Sequence, residues 1–359
     1  DPTGAGIFSE HILTEISKDN HEHDITVLVR KDLSKTHVLY QLPFVFLHVD
    51  IPTLGVKREW KLPFLLWKKK KSFDLFFSFM PYTSLFPMVL PYAVTVHDVA
   101  FLRYPHVAKS VLHRWYFLLL MKRSLRSAKH LFSVSESTKK DIVQFLEIPE
   151  HNIEVAYPDG NLVDTFQCKE VVSLPVPYFL FVGERRQHKN IDNMLKAFAL
   201  FKKKDIQNFS FVLIGKDYDE SYTQQLLLLI ESLGIKDTVH LIGTISTNPL
   251  SFYYKNACAL MLVSLYEGFG IPIIEAMRLG VPVVTSNIFS MPEAGGDAAL
   301  YVDPLDISAI AEHMYVLATN DKMRTLCIEK GYIQAKNFSW GISAQKVLRF
   351  FDTYAKTHK

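Results

Sequence analysis

Three short apolar runs end in glycine at near-regular spacing: Tyr178-Phe-Leu-Phe-Val-Gly183, Phe209-Ser-Phe-Val-Leu-Ile-Gly215 and Val239-His-Leu-Ile-Gly243. The interval of about thirty residues is that of a βαβ unit. Runs without polar alternation belong to strands buried on both faces, so helices must cover the sheet above and below. Amphipathic stretches between them supply those helices at Asn190–Lys203 and Glu220–Gly234. The alternation continues with helices at Asn248–Ala257, Pro272–Leu279 and Ser308–Thr319, strands at Ala259–Val263 and Val281–Thr285, and a short extended piece at Ala299–Val302. In such sheets ligands bind at the carboxyl ends of the strands. Here those ends are Gly183, Gly215, Gly243 and the turn Ser264–Gly270.

The first half alternates in the same way. Strands are expected at Asp24–Arg30, Leu75–Ser78, Ala93–Val96, His130–Val134 and Ile153–Tyr157. Helices are expected at Phe8–Lys18, Leu112–Ser127 and Glu136–Leu146, the last with Ser135 as its cap. Pro158 to Pro177 carries little periodicity and reads as a linker. The whole is an α/β chain of two doubly wound domains facing a cleft, with a boundary near residue 160. Gly4-Ala-Gly6, followed at once by a helix, looks like the turn after a first strand that the sequence as given does not contain.

Within Ser264-Leu-Tyr-Glu-Gly-Phe-Gly-Ile-Pro-Ile-Ile-Glu-Ala-Met277, Glu267 adjoins a Gly-Phe-Gly turn and Glu275 lies in the first turns of a helix opened by Pro272. Free N–H groups at a helix start attract phosphate, whereas carboxylates beside them suit hydroxyl groups. One segment therefore offers a diphosphate cradle flanked by acceptors for sugar or ribose hydroxyls. That is what binding a nucleotide-sugar requires.

Charge is uneven. Between Gly55 and His130 there are 14 Lys and Arg against 3 Asp and Glu, although the whole chain carries only +3. Aromatic and aliphatic residues interleave with this charge, as in Trp60-Lys-Leu-Pro-Phe-Leu-Leu-Trp-Lys-Lys-Lys-Lys71 and Arg114-Trp-Tyr-Phe-Leu-Leu-Leu-Met-Lys-Arg123. Two readings stand: an anionic membrane surface contacted through region 55–130, or core helices with solvated basic ends. No nucleic-acid-binding motif accompanies the charge. Cys168, Cys258 and Cys327 form neither a metal spacing nor a disulfide framework, which fits a reducing cytoplasm. No apolar run reaches the ~18 residues of a membrane span. Asp217-Tyr-Asp219 imitates a metal-binding Asp-x-Asp but reads as a solvated turn.

Tyr266-Glu-Gly-Phe-Gly-Ile-Pro-Ile-Ile-Glu-Ala-Met277 resembles the signature of retaining GT-B glycosyltransferases of glycosyltransferase family 4. Val182-Gly-Glu-Arg-Arg-Gln-His-Lys-Asn190, Gly280-Val-Pro-Val-Val-Thr-Ser286 and Pro292-Glu-Ala-Gly-Gly-Asp-Ala-Ala299 agree with it. Thr95-Val-His-Asp-Val-Ala-Phe-Leu-Arg-Tyr-Pro105 is similar to a loop of the branch containing bacterial mannosyltransferases of surface polysaccharide synthesis. The resemblance spans most of residues 90–345 and is loosest over 35–90.

It implies a GT-B fold, with an acceptor-side Rossmann-like domain at 1–160, a nucleotide-sugar domain at 161–340 and a terminal helix, 341–359, packed back on the first domain. It implies a retaining transfer of a hexose to a glycan or lipid-linked acceptor. The donor would be GDP-mannose or a UDP-sugar, with no cofactor and no metal. The enzyme would be cytoplasmic, peripheral at the inner face of the membrane. Carried over by residue, Glu275 would accept bonds from ribose hydroxyls and Glu267 would hold the donor hexose. Backbone N–H groups of Gly268, Phe269 and Gly270, beside strand-end Gly183, would hold sugar hydroxyls and diphosphate. Lys189 would neutralise phosphate charge, with Arg185 or Arg186 as its partner, because Glu184 stands where many relatives have arginine. His97 would contact the donor sugar or its phosphate, and Gly4 and Gly6 would let the backbone approach the substrate. A nucleotide-sugar epimerase, a pyridoxal-phosphate-dependent phosphorylase and a non-catalytic glycan binder share this fold and are the rival readings.

Overall fold

The computed structural model describes residues 4–20, 22–53, 55–103, 111–160, 177–204, 206, 208–245 and 247–357. Most of the Pro158–Pro177 linker, Cys168 and the end of the Thr95–Pro105 motif lie outside them. The chain forms two compact units, Asp1–Pro158 with Ser339–Lys359, and Asp159–Phe338.

The first unit contains α1 (Gly4–Asp19), β1 (Thr26–Arg30), β2 (Val45–Val49), α2 (Val56–Lys68), β3 (Phe76–Ser78), β4 (Tyr92–Val96), α3 (Ala100–Arg103), α4 (Val111–Ser127), β5 (His130–Ser133), α5 (Glu136–Leu146) and β6 (Ile153–Val155). All pairings are parallel, in two groups: β1 with β2, and β3-β4-β5-β6. A cavity of about 1080 Å³ runs along both β1 and β3 and is also lined by Leu13 and Ile16 of α1. The core under the four-stranded sheet joins Val94 and Val96 to Met121, Leu125, Ile142 and Leu146. Ser135 caps α5 as the sequence predicts, its hydroxyl accepting from Thr138 N.

Three elements of this unit escape the sequence reading: β2, α2 and the single turn α3. α2 carries Pro63 inside it, a residue that argues against helix when read from sequence. Burial of Leu62 and Leu66 against Leu90 outweighs that cost. Helix α1 also differs, because it starts at Gly4 rather than at Phe8. Gly4 and Gly6 therefore sit in the first turns of a helix and not in a preceding turn. The reason is tertiary: Phe8, Ile12, Leu13 and Ile16 are all buried, which offsets the ~1 kcal/mol that each glycine costs a helix.

The second unit contains β7 (Tyr178–Val182), α6 (Ile191–Lys202), β8 (Ser210–Ile214), α7 (Glu220–Ser232), β9 (Val239–Ile242), α8 (Thr247–Lys255), β10 (Ala259–Leu262), α9 (Ile271–Arg278), β11 (Val283–Ser286), α10 (Met291–Gly295), β12 (Leu300–Val302), α11 (Ile307–Thr319) and α12 (Asp321–Ala335). One parallel sheet has the order β12-β11-β10-β7-β8-β9. Chain order runs outward from β7 in one direction and from β10 in the other, so β7 and β10 flank the point where strand order reverses. That is the doubly wound arrangement, with its ligand crevice at the carboxyl ends of those two strands. Phe179, Phe198, Phe201, Phe209 and Phe211 stack into the core on one side of β7 and β8. The final helix, α13 (Trp340–Thr357), belongs to the first unit. There Trp340 meets Phe8 edge-on at 5.5 Å and Lys346 donates to the Val155 carbonyl.

Candidate active site

Two loops meet at the reversal point of the second sheet. The loop after β7 carries Lys189 and the loop after β10 carries Glu267. A backbone bond from Leu265 N to His188 O (2.8 Å) clips them together. Asn190 holds the first loop in place. It adopts a left-handed conformation (φ 59°), and its buried amide donates to the carbonyls of Val263 and Pro304. On the second loop, the Ser290 hydroxyl donates to the Glu267 carbonyl.

Lys189 Nζ then lies 2.7 and 2.8 Å from the two carboxylate oxygens of Glu267. Ser264 Oγ donates to Oε1 at 2.8 Å. The pair is largely shielded, with 16% of the lysine side chain and 13% of the glutamate side chain exposed. The structure thus brings together two residues 78 positions apart that the sequence singles out.

Glu275 sits one turn into α9, which begins at Ile271 with Gly270 (φ 111°) as its cap. Pro272 is the second helical residue rather than the first. The Glu275 carboxylate is buried and accepts a bond from Tyr254 Oη at 2.9 Å. Burial holds the Tyr254 phenol well above its ordinary pKa, and the Glu275 charge pushes the same way, so Tyr254 remains a donor. Gly160 presses against this turn: a Cβ there would lie 3.0 Å from Glu275 N. Arg278, one turn further on, grips Asp159 with two nitrogens (3.0 and 2.7 Å) and the Phe338 carbonyl (3.1 Å).

Arg185 is held within the corner at the ends of β7 and β8. Its side chain is 9% exposed and bonds to the Gly215 carbonyl at 2.8 Å and to Thr223 Oγ1 at 3.3 Å, beside Asp217. A guanidinium bonded to strand-end carbonyls ties β7 to β8. Arg186 lies over the Tyr218 ring, 3.2 Å from its centroid, with Glu184 2.7 Å away. Gly183, at the same strand end, lies so close to Gly215 that a Cβ on Gly215 would come within 1.9 Å of the Gly183 oxygen. Asp217-Tyr-Asp219 closes the same corner, with Asp217 accepting from Thr223 Oγ1 and Asp219 capping α7.

His97, Gly4 and Gly6 belong to the first unit. His97 follows β4 and its Nε2 is 2.8 Å from the Phe79 carbonyl. A carbonyl only accepts, so Nε2 bears the proton. Burial lowers the His97 pKa below 6.5, outweighing the Phe79 bond and the Asp98 charge, so the ring is neutral at pH 7 and Nδ1 holds the lone pair. Among the described residues no group of three His, Cys, Asp or Glu is placed to hold a metal.

Asn190 and Ser264 stand at the ends of quoted motif segments without an assigned role, and Tyr254 and Ser290 lie outside those segments. A polar residue just past an apolar strand was the available clue for Ser264, and the residue before an amphipathic helix was the clue for Asn190. Nothing local marks Tyr254, whose partner lies 21 residues away.

Two family models cover nearly the whole chain: Glycosyltransferase Family 4 over residues 2–158 and Glycosyl transferases group 1 over residues 166–334. The chain belongs to the GT-B glycosyltransferases of these groups. It is 31% identical to an O-antigen chain mannosyltransferase B of Escherichia coli over 68% of this chain and 66% of the relative. It is 34% identical to the O-antigen chain mannosyltransferase RfbU of Salmonella typhimurium over 61% of this chain and 59% of the relative. The matches thus span less than two thirds of these curated relatives. In fold, sucrose-phosphate synthase from Thermosynechococcus elongatus superposes with a TM-score of 0.77 over 99% of this chain and 94% of its own, at 18% identity.

Proposed function

We propose that this protein is a retaining hexosyltransferase that moves mannose from GDP-mannose to a hydroxyl of a glycan or lipid-linked acceptor. The observation that carries this reading is the shielded Lys189–Glu267 pair at the reversal point, one short turn before the start of α9. Donor binding exchanges the partners of that pair. Lys189 turns to the diphosphate, and the freed Glu267 carboxylate accepts from hexose hydroxyls. Backbone N–H groups of Gly268, Phe269 and Gly270 hold the diphosphate and sugar. Glu275, oriented by Tyr254, takes the ribose hydroxyls.

In the transfer, the bond from the anomeric carbon to the leaving phosphate breaks. The acceptor oxygen bonds to the same face of that carbon, and its proton passes to the leaving phosphate. Lys189 acts on the charge that develops there, an interaction stronger in the transition state than in the ground state. Arg185 has no phosphate role in this scheme. His97, neutral and held through Nε2, offers Nδ1 as an acceptor to the donor hexose, and the N-terminus of α1 at Gly4 and Gly6 lets substrate approach closely. Residues 1–160 with 341–359 serve the acceptor, and residues 161–340 serve the donor.

The choice of mannose rests on the names of the two O-antigen mannosyltransferase relatives. A UDP-sugar donor is the second reading, since no named residue distinguishes guanine from uracil. Calorimetry against GDP-, UDP-, dTDP- and ADP-sugars tests the proposal, followed by proton NMR of the product anomer. Tightest binding by GDP-mannose and an α-linked product are expected. Failure to bind any sugar nucleotide, or release of a rearranged sugar nucleotide without acceptor, overturns it.

A further inference from the structure

Phe8 of α1 touches both partners of the bond that holds His97. Its ring meets the imidazole edge-on at 5.2 Å and the Phe79 ring edge-on at 6.4 Å, with interplanar angles of 80° and 64°. The Phe79 carbonyl accepts from His97 Nε2. A third edge-on contact, to Trp340 at 5.5 Å, joins Phe8 to the first residue of α13. His11, one turn along α1, stacks on the same indole at 5.0 Å and 16°. From Phe79 the rings continue to Phe77 at 5.0 Å and on to Phe351 of α13 at 5.7 Å. The start of α1, the end of β3 and helix α13 are thus braced by one run of aromatic contacts, with His97 against its buried member Phe8. The sequence prepares this: Phe8, Ile12 and Ile16 recur every four residues and form the buried stripe of α1.

One hydrogen bond does not fix an imidazole. The torsion that turns the ring is broad and roughly two-fold, and a half-turn would exchange Nε2 with Cε1 and Nδ1 with Cδ2. A neutral ring also has two tautomers, chosen by the bonds its nitrogens make. An edge-on aromatic neighbour opposes the swing, because turning the imidazole loses that contact. Phe8 also keeps water from the ring. Burial lowers the His97 pKa, while the Phe79 bond and the charge of Asp98, its neighbour on the same loop, raise it. On α1 the titratable neighbour is His11, itself lowered by burial, with Glu15 and Lys18 acting on it in opposite senses. Removing the Phe8 ring weakens the burial that now wins at His97.

We propose that Phe8 is a positioning residue for His97: braced by Trp340, it confines the imidazole to the orientation in which Nε2 donates to the Phe79 carbonyl and Nδ1 is left as an acceptor. The proposal rests on the reading of His97 as a contact to the donor hexose for its purpose, and on the ring contacts for its geometry.

The test uses the whole chain with nitrogen-labelled histidine. NMR of the ring nitrogens reports which one carries the proton, and His97→Gln identifies the His97 signals. The unsubstituted chain should show one form of His97 at pH 7, protonated on Nε2. Phe8→Ala should mix the two tautomers and move the His97 titration up toward 6.5. Phe8→Leu, which refills most of the space, should restore the single form. Phe8→Val carries the same expectation as the alanine variant should that one not fold. Ile12→Ala, buried on the same face of α1, should lower the melting temperature and leave the His97 spectrum as it was. With GDP-mannose as donor and water as acceptor, Phe8→Ala should release GDP with kcat roughly threefold to tenfold lower, and Phe8→Leu should recover most of it. An unchanged His97 spectrum and titration in the truncated Phe8 variants would overturn the inference, as would the same spectral change in Ile12→Ala. Full GDP release by His97→Gln would instead overturn the role of His97. The ring spectra need no donor, so the two readings fall separately.

Discussion

Removing Lys189 tests the centre of the site twice, through stability and through catalysis. At 2.7 Å and an effective dielectric of ~20, the two charges attract by about 6 kcal/mol. Desolvation and side-chain ordering offset most of that. Exposed pairs net below ~1 kcal/mol, whereas breaking a fully buried pair costs ~3–5 kcal/mol. With about one sixth of each side chain exposed, the pair lies between these limits, at about 1–3 kcal/mol. Lys189→Ala leaves Glu267 the Ser264 hydroxyl as its side-chain partner among the described residues. The second unit should therefore melt about 4–8 °C lower for a loss of ~2 kcal/mol. A double-mutant cycle with Glu267→Gln, read by urea unfolding, should return a coupling of ~1–3 kcal/mol. In turnover, Lys189→Ala should lower kcat by ~100-fold or more with a smaller change in KM. A coupling below ~0.5 kcal/mol would refute the energetic argument. A change confined to KM would refute the phosphate role.

Three further outcomes follow from the same geometry. Tyr254→Phe removes the phenol donor from a buried carboxylate, so stability should fall by ~1.5–3 kcal/mol and nucleotide affinity roughly tenfold; unchanged melting and calorimetry would show that Tyr254 does not orient Glu275. Gly215→Ala forces a Cβ within 1.9 Å of a backbone oxygen at φ 150°, so the second unit should lose ~3 kcal/mol or more, and a soluble variant with an unshifted urea midpoint would contradict the packing. Burial lowers the pKa of His11, His97 and His130 below 6.5 in the folded first unit. The unfolded chain therefore binds protons first, and their contribution is intact above pH 6.5 and drains as pH falls below it; a urea midpoint equal or higher at pH 5.5 than at pH 7.5 would contradict that sign.

The strands of the second unit were legible in the sequence because they are buried on both faces, whereas α10 and α12, which flank no apolar strand run of their own, were not read. Such strands must read as unbroken apolar runs, and the glycines at their ends mark where the backbone turns tightly. The placing of the candidate site was legible for a related reason: Glu267, Glu275 and Lys189 lie in short segments whose turn and helix-start residues fix the backbone locally, and the structure sets the first against the third. The first unit was less legible. β2 and α2 were hidden because α2 holds a proline and turns its aromatic residues outward, so its apolar count does not mark a buried face.

What the sequence determined by itself was the alternation of strand and helix and the residue types gathered at the strand ends. What only the tertiary structure decided was which charges meet. Lys189 and Arg185 stand four residues apart on one loop, yet one reaches the carboxylate of Glu267 and the other the Gly215 carbonyl at the end of β8. That choice is made by strand order, which brings β10 beside β7 on one side and β8 on the other. No local pattern encodes it, because the partners lie 30 and 78 positions away.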